Sequence, residues 1–201
     1  NKEEKMNLKN IVKIAVFSVI GFVLTMGLGY ATGALGVMPS LYLSCAFATI
    51  VVAPVFVILA RSVKVRGTAF LYFFLIGLFY TLMGMWPIII INTIAGILAE
   101  LVVGSSENYD RGNSKVGLAF GAGMFVYSLH PMIIVFFFSK SKAMLEMMGA
   151  DYFDFLRNFY TPANIGICFV ISIIASIIGA KFGSYIYNKF FAGRNKKSVL
   201  G

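Results

Sequence analysis

Apolar residues run through this chain in blocks, and polar residues are gathered into the short segments between them. Six blocks stand out, at residues 11–30, 41–60, 68–85, 87–103, 116–138 and 163–188. About 20 helical residues cross the hydrocarbon of a bilayer, and each block matches or approaches that length. The pattern predicts an all-α integral membrane protein, a six-helix bundle forming one transmembrane domain over residues 1–201. Within the first block, Ala15, Ser18, Gly21, Thr25 and Gly29 form a stripe of small residues. In the last, Ser172, Ser176 and Ala180 recur at four-residue spacing beside a parallel series of Ala175, Gly179 and Gly183. Small residues let helices approach closely where lipid removes the hydrophobic driving force.

The stretch from Gly84 to Val103, GMWPIIIINTIAGILAELVV, carries the most informative polar positions. Pro87 suits a first helical position. Trp86, the only Trp, sits where an interfacial anchor belongs. Asn92, Gly96 and Glu100 share a face at i, i+4 and i+8, with Ala95 and Ala99 beside them. Such a face must look at protein or a water-filled cavity. Glu100 lies near the inner boundary, where it is expected to pair with Lys115, Arg111 or a basic residue of another span in a structural or partner-coupling role.

Composition agrees with the pattern: 59% of residues are hydrophobic, 12% are charged, and mean hydropathy is +0.87. The net charge of +9 reads as topology rather than as nucleic-acid binding. With both termini cytoplasmic, about 14 of the 17 Lys and Arg residues fall inside. The exceptions, Lys140, Lys142 and Arg157, share the longest extracellular loop, 139–162, with Glu146, Asp151 and Asp154. There Asp151 is expected to cap a short amphipathic helix with Phe155, Leu156 and Phe159 on its apolar side, a candidate lid or static cap. The Gly-rich segment 31–40, with Pro39 near its end, reads as an ordered turn or short irregular segment, and 104–115 as a polar loop. No removable signal peptide is expected, because the first apolar run is long and lacks a cleavage-like site.

Helical rise puts Asn92 roughly 8 Å and His130 roughly 12 Å below the outer boundary. Tyr80 is about as deep as Asn92, Tyr127 shares a helical face with His130, and Asn164 begins the last span. Tyr80, Trp86, Asn92, Tyr127, His130 and Asn164 are therefore the candidate substrate-binding residues of an outward-facing pocket. Each has a plainer reading: Asn92 as interhelical glue, His130 bonded to a carbonyl, the aromatics as packing, Asn164 as a helix cap. Catalysis within the chain is not expected, since one His and no intramembrane acidic pair supply neither a based nucleophile nor a metal set. Cys45 and Cys168 lie in apolar runs and, with that His, make no zinc set.

The WP start and AELV end of the fourth block, FVYSLHPM in the fifth, MLEMMGADYFDFLRNFYTP and IGAKFGSYIYNKFF occur in an order and spacing that resemble a known family. The chain resembles the substrate-binding S components of energy-coupling factor (ECF) ABC importers, particularly a subfamily noted in treponemes and streptococci. That resemblance implies capture of a micronutrient, a vitamin-like compound or haem, from outside the cell membrane. It implies docking on a transmembrane coupling subunit served by two cytoplasmic ATPases. The matching docking helix here reads AVFSVIG, with Val19 where the family often has Ala, so Ala15, Ser18 and Gly21 are the candidate docking residues. No intrinsic cofactor is implied. Were haem the ligand, His130 would be an axial-ligand candidate with Met83, Met85 or Met132, and Lys140, Lys142 and Arg157 would meet its propionates. The alternative is a membrane scaffold or regulatory protein with no transported substrate.

Overall fold

The computed structural model describes residues 6–111 and 113–192. Among them every regular element is helical: α1 Leu8–Gly33, α2 Val37–Val63, α3 Thr68–Leu82, α4 Pro87–Val103, α5 Ser106–Arg111, α6 Asn113–Ser128, α7 His130–Ile133, a π-helical turn Ile134–Phe138, α8 Lys142–Met148, α9 Ala150–Phe159 and α10 Pro162–Phe190. Four segments are long and apolar enough to cross a membrane: Leu8–Gly33, Val37–Val63, Ser114–Phe138 and Pro162–Phe190. The apolar helices Thr68–Leu82 and Pro87–Val103 are shorter.

The segments between the apolar blocks are more helical than expected. α2 begins at Val37, so Pro39 lies inside its first turn, where a missing N–H costs nothing. The polar segment 104–115 contains α5, and 139–162 contains α8 and α9. Gly149 is the N-cap of α9, and Asp151 falls in its first turn rather than at the cap. The buried face is Phe153, Leu156 and Phe159; Phe155 points outward.

The long helices pack in the order α1–α2–α10–α6–α4–α3, and α3 returns to α1. α2 also reaches α6 across the middle. Small residues set these contacts, as the two tracks on α10 show. One track faces α6: a Cβ on Gly117 would lie 2.7 Å from the Ala180 carbonyl, and Ser176 Oγ donates to the Gly121 carbonyl at 2.9 Å. The other faces α2, where Cβ atoms on Gly179 and Gly183 would sit 2.8 and 2.9 Å from the carbonyls of Thr49 and Ala53.

The face of α4 that carries Asn92 and Gly96 looks at protein. A Cβ on Gly96 would lie 2.9 Å from the Phe70 carbonyl of α3, and Asn92 packs on Gly77. Glu100 makes no ion pair with Lys115 among the described residues, and the side chain of Arg111, the other expected partner, lies outside them. The Glu100 carboxylate accepts N–H bonds from Gly67 (2.8 Å), Ala69 (3.1 Å) and Phe70 (3.3 Å), and one from the Tyr109 hydroxyl (2.8 Å). The unpaired N–H groups opening α3 attract an anion as a cation would. Burial, and then the Glu100 charge, push the Tyr109 hydroxyl well above its usual range, so it stays a donor.

Candidate functional site

Helix directions alternate, so the starts of α1, α3 and α6 and the ends of α2, α4 and α10 gather at one end, with Lys13, Arg61, Lys64 and Lys115. Just inside that end, Phe56, Tyr72, Phe73 and Phe120 form an aromatic plug, with Phe56 and Phe120 stacked at 5.1 Å between centroids. The opposite half is less completely filled. Two cavities, of about 380 and 210 Å³, share Ser44, Cys45, Met85, His130 and Tyr152 in their walls.

The larger cavity is bounded by the C-terminal part of α1, by α2, and by Tyr80, Ile88 and Tyr127. Tyr80 and Tyr127 join hydroxyl to hydroxyl at 2.7 Å, which consumes one proton and leaves the other free to donate. The Tyr127 ring stacks on His130 at 4.7 Å. His130 Nδ1 lies 2.8 Å from the Tyr127 carbonyl; a carbonyl only accepts, so Nδ1 carries the proton. In the neutral ring Nε2 is then an acceptor. His130 also marks a break in its helix. α6 ends at Ser128, α7 starts at His130 with Pro131 following, and the π-helical turn comes next. Proline removes a backbone donor, and π turns often accompany functional sites.

The smaller cavity lies beneath α9. Met148, Tyr152, Leu156 and Tyr160 line it from the 139–162 segment, opposite Cys45, Met132, Cys168 and Ser172. Burial pushes the Tyr152 and Tyr160 hydroxyls above their usual range, so both remain protonated. No charged side chain lines either cavity among the described residues.

Of the six residues expected at the pocket, Tyr80, Tyr127 and His130 come together at the larger cavity. The other three line neither. Asn92 is fully buried below it, with Nδ2 donating to the Ile88 carbonyl at 3.2 Å and Oδ1 without a partner. Trp86 stands edge-on to Phe138 at 5.1 Å, near the start of the 139–162 segment. Asn164 Nδ2 donates to the Phe159 carbonyl at 2.7 Å, tying α9 to α10. Met85 and Met132 line the cavities, whereas Met83 is exposed. The cations expected to meet propionates do not line the walls: Arg157 bonds Asp154 and Ser139, and Lys142 pairs with Glu146.

Two of the candidate docking residues turn inward. Ser18 is buried, bonding the Ile14 carbonyl at 2.8 Å, and Gly21 lies against Tyr72 so closely that a Cβ would be 2.1 Å from its hydroxyl. Ala15 is half-buried. Ser18 and Gly21 accommodate Tyr72 of α3, whereas Thr25 and Gly29 of the same stripe line the larger cavity. Sequence reasoning missed Ser44, Cys45 and Tyr152 as cavity residues. For Tyr152 the signal was present, since an aromatic residue in a short amphipathic helix is a natural roof.

The family described as hypothetical bacterial integral membrane protein (Trep_Strep) matches residues 8–192, and the chain belongs to it. No curated protein and no solved structure matches. The match covers every long helix described above, and the chain is a multi-pass integral membrane protein.

Proposed function

We propose that this Trep_Strep protein is the substrate-binding subunit of an ECF-type ATP-driven importer. All six long helices cross the membrane, both termini are cytoplasmic, and the cavities open outward. The observation that carries this reading is the pair of adjoining cavities that share His130 and Tyr152 in their walls, the larger bounded by Tyr80 and Tyr127 and the smaller roofed by α9. They lie at the end away from the basic cluster, which the positive-inside tendency assigns to the cytoplasm. Their size falls at the lower edge of small-molecule sites.

The walls offer hydroxyls, thiols, thioethers and one imidazole, but no formal charge. An unpaired carboxylate brought into such a site would lose its hydration without compensation. The lining therefore favours an uncharged, vitamin-like micronutrient over haem, whose iron could meet His130 Nε2 but whose propionates find no cation. ATP hydrolysis belongs to the two partner ATPases, and the coupling subunit docks on an exposed helix face rather than on Ser18 and Gly21.

Affinity purification from its native membrane tests the proposal. The protein should bring down one coupling membrane protein and two ATPases, and release a small organic molecule on extraction that His130→Ala and Tyr127→Phe retain less well. Recovery of other partners with no extractable ligand would favour a scaffold without substrate.

A further inference from the structure

At the basic end, a cleft of about 490 Å³ opens between α1, α2 and α10, lined by Lys13, Ile58, Arg61, Ser62, Lys64, Tyr187 and Phe191. Three of these seven residues are cations, whereas the cavities at the other end have none. Lys64 pairs with Asp110 at 2.6 Å; Lys13 and Arg61 have no carboxylate among the described ion pairs. Lys13 Nζ has only a long contact, 3.4 Å, to the Ser62 carbonyl at the surface. Arg61 lies over the Tyr187 ring at 5.1 Å and donates from Nη1 to the Tyr109 and Asp110 carbonyls, which fixes the guanidinium in place. Its Nε is buried without a hydrogen-bond partner. A held guanidinium beside an ammonium that meets no carboxylate among the described residues leaves positive charge in the cleft that an oxyanion neutralises.

The surroundings identify the carrier of that oxyanion. The cleft lies where α2 and α10 end and α1 begins, at the boundary of the apolar spans. Ile58 and Phe191 supply apolar wall next to the cations. A ligand that sits there must be anionic at one end and apolar at the other. We propose that this cleft seats the phosphate of an anionic phospholipid, with Lys13, Arg61 and Lys64 around the headgroup and the acyl chains lying along the outer faces of α1 and α10. Basic clefts between membrane helices are suited to this role, and each cation near the surface adds attraction to anionic lipid. The site is independent of the cavity assigned to the micronutrient.

Native mass spectrometry of delipidated protein with added lipid tests the assignment. Palmitoyl-oleoyl phosphatidylglycerol should remain as a one-to-one adduct under activation that strips palmitoyl-oleoyl phosphatidylcholine. Lys13→Gln with Lys64→Asn should reduce that adduct several-fold; Asn tolerates the left-handed backbone that Lys64 adopts (φ 57°). Lys140→Gln with Lys142→Gln, at the other end, should leave it unchanged. Arg61 is left intact because it holds α5. If the double variant is not monodisperse, Lys13→Gln alone makes the comparison, since its contact is at the surface. Equal retention of the two lipids, retention insensitive to Lys13→Gln, or displacement of the phosphatidylglycerol by inorganic phosphate would overturn the proposal.

Discussion

Gly21 and Tyr72 show how much one missing atom can decide. A methyl on Gly21 would overlap the Tyr72 hydroxyl and crowd its ring carbon at 2.9 Å. Gly21→Ala should lower stability by about 1–3 kcal/mol, the usual cost of overpacking. Adding Tyr72→Phe should recover part of the loss, and thermal unfolding of the four proteins of that cycle measures the coupling. Glu100 makes a second residue-scale case. Glu100→Gln keeps the shape but weakens charge-assisted bonds to the first turn of α3, and should cost about 1–3 kcal/mol in thermal stability. Lys115→Gln should change almost nothing, whereas an ion pair between the two would make both variants equally damaging. The position of Glu100 near the end of its helix was legible in the sequence from its spacing. Its partner was not, because a helix N-terminus attracts an anion without any residue type announcing it. Asn92 likewise revealed its inward face through Gly96 and Ala99, yet spacing alone does not separate a helix–helix contact from a cavity wall.

At the scale of elements, the two small-residue tracks of α10 were readable as four-residue repeats, and each met a different neighbour. The 139–162 segment was readable only in part. Its mixed charges predicted a surface position, and Leu156 and Phe159 took the buried face. The exchange of Phe155 for Phe153 follows from helical spacing: Phe153 lies three residues before Leu156 and shares its face, whereas Phe155 is its immediate neighbour and turns outward. Burial of α9 should control access to the thiols beneath it. Leu156→Asp should speed labelling of Cys45 and Cys168 by a polar maleimide several-fold, while Phe155→Asp, on the outer side, should not. Identical labelling rates in the two variants would show that α9 does not roof the cavity.

For the whole molecule, the decisive asymmetry lies between ends: an aromatic plug backs the basic end, and uncharged cavities occupy the other. Composition predicted a membrane protein directly, because long apolar blocks leave few alternatives. The cavities were foreshadowed by Tyr80, Tyr127 and His130, but their volume depends on how six helices splay, which no single block encodes. Close backbone approach holds the ring of helices together, so it should fail where a side chain is forced between backbones. Gly179→Val meets the Thr49 carbonyl and should abolish a monodisperse protein in size-exclusion chromatography. Gly166→Val, with no neighbour within 4 Å, should leave the elution unchanged.

The place of α10 in that ring also sets a schedule for its assembly. α2 and α6 both rest on α10, yet both leave the ribosome before it. Until Gly179 and Gly183 arrive, the Thr49 and Ala53 surface of α2 faces lipid, and the Gly117–Gly121 groove of α6 is empty. A nascent chain halted before Pro162 therefore carries two open grooves. Synthesis of α10 closes both at once, so the small residues of one helix set the moment at which two others are sealed.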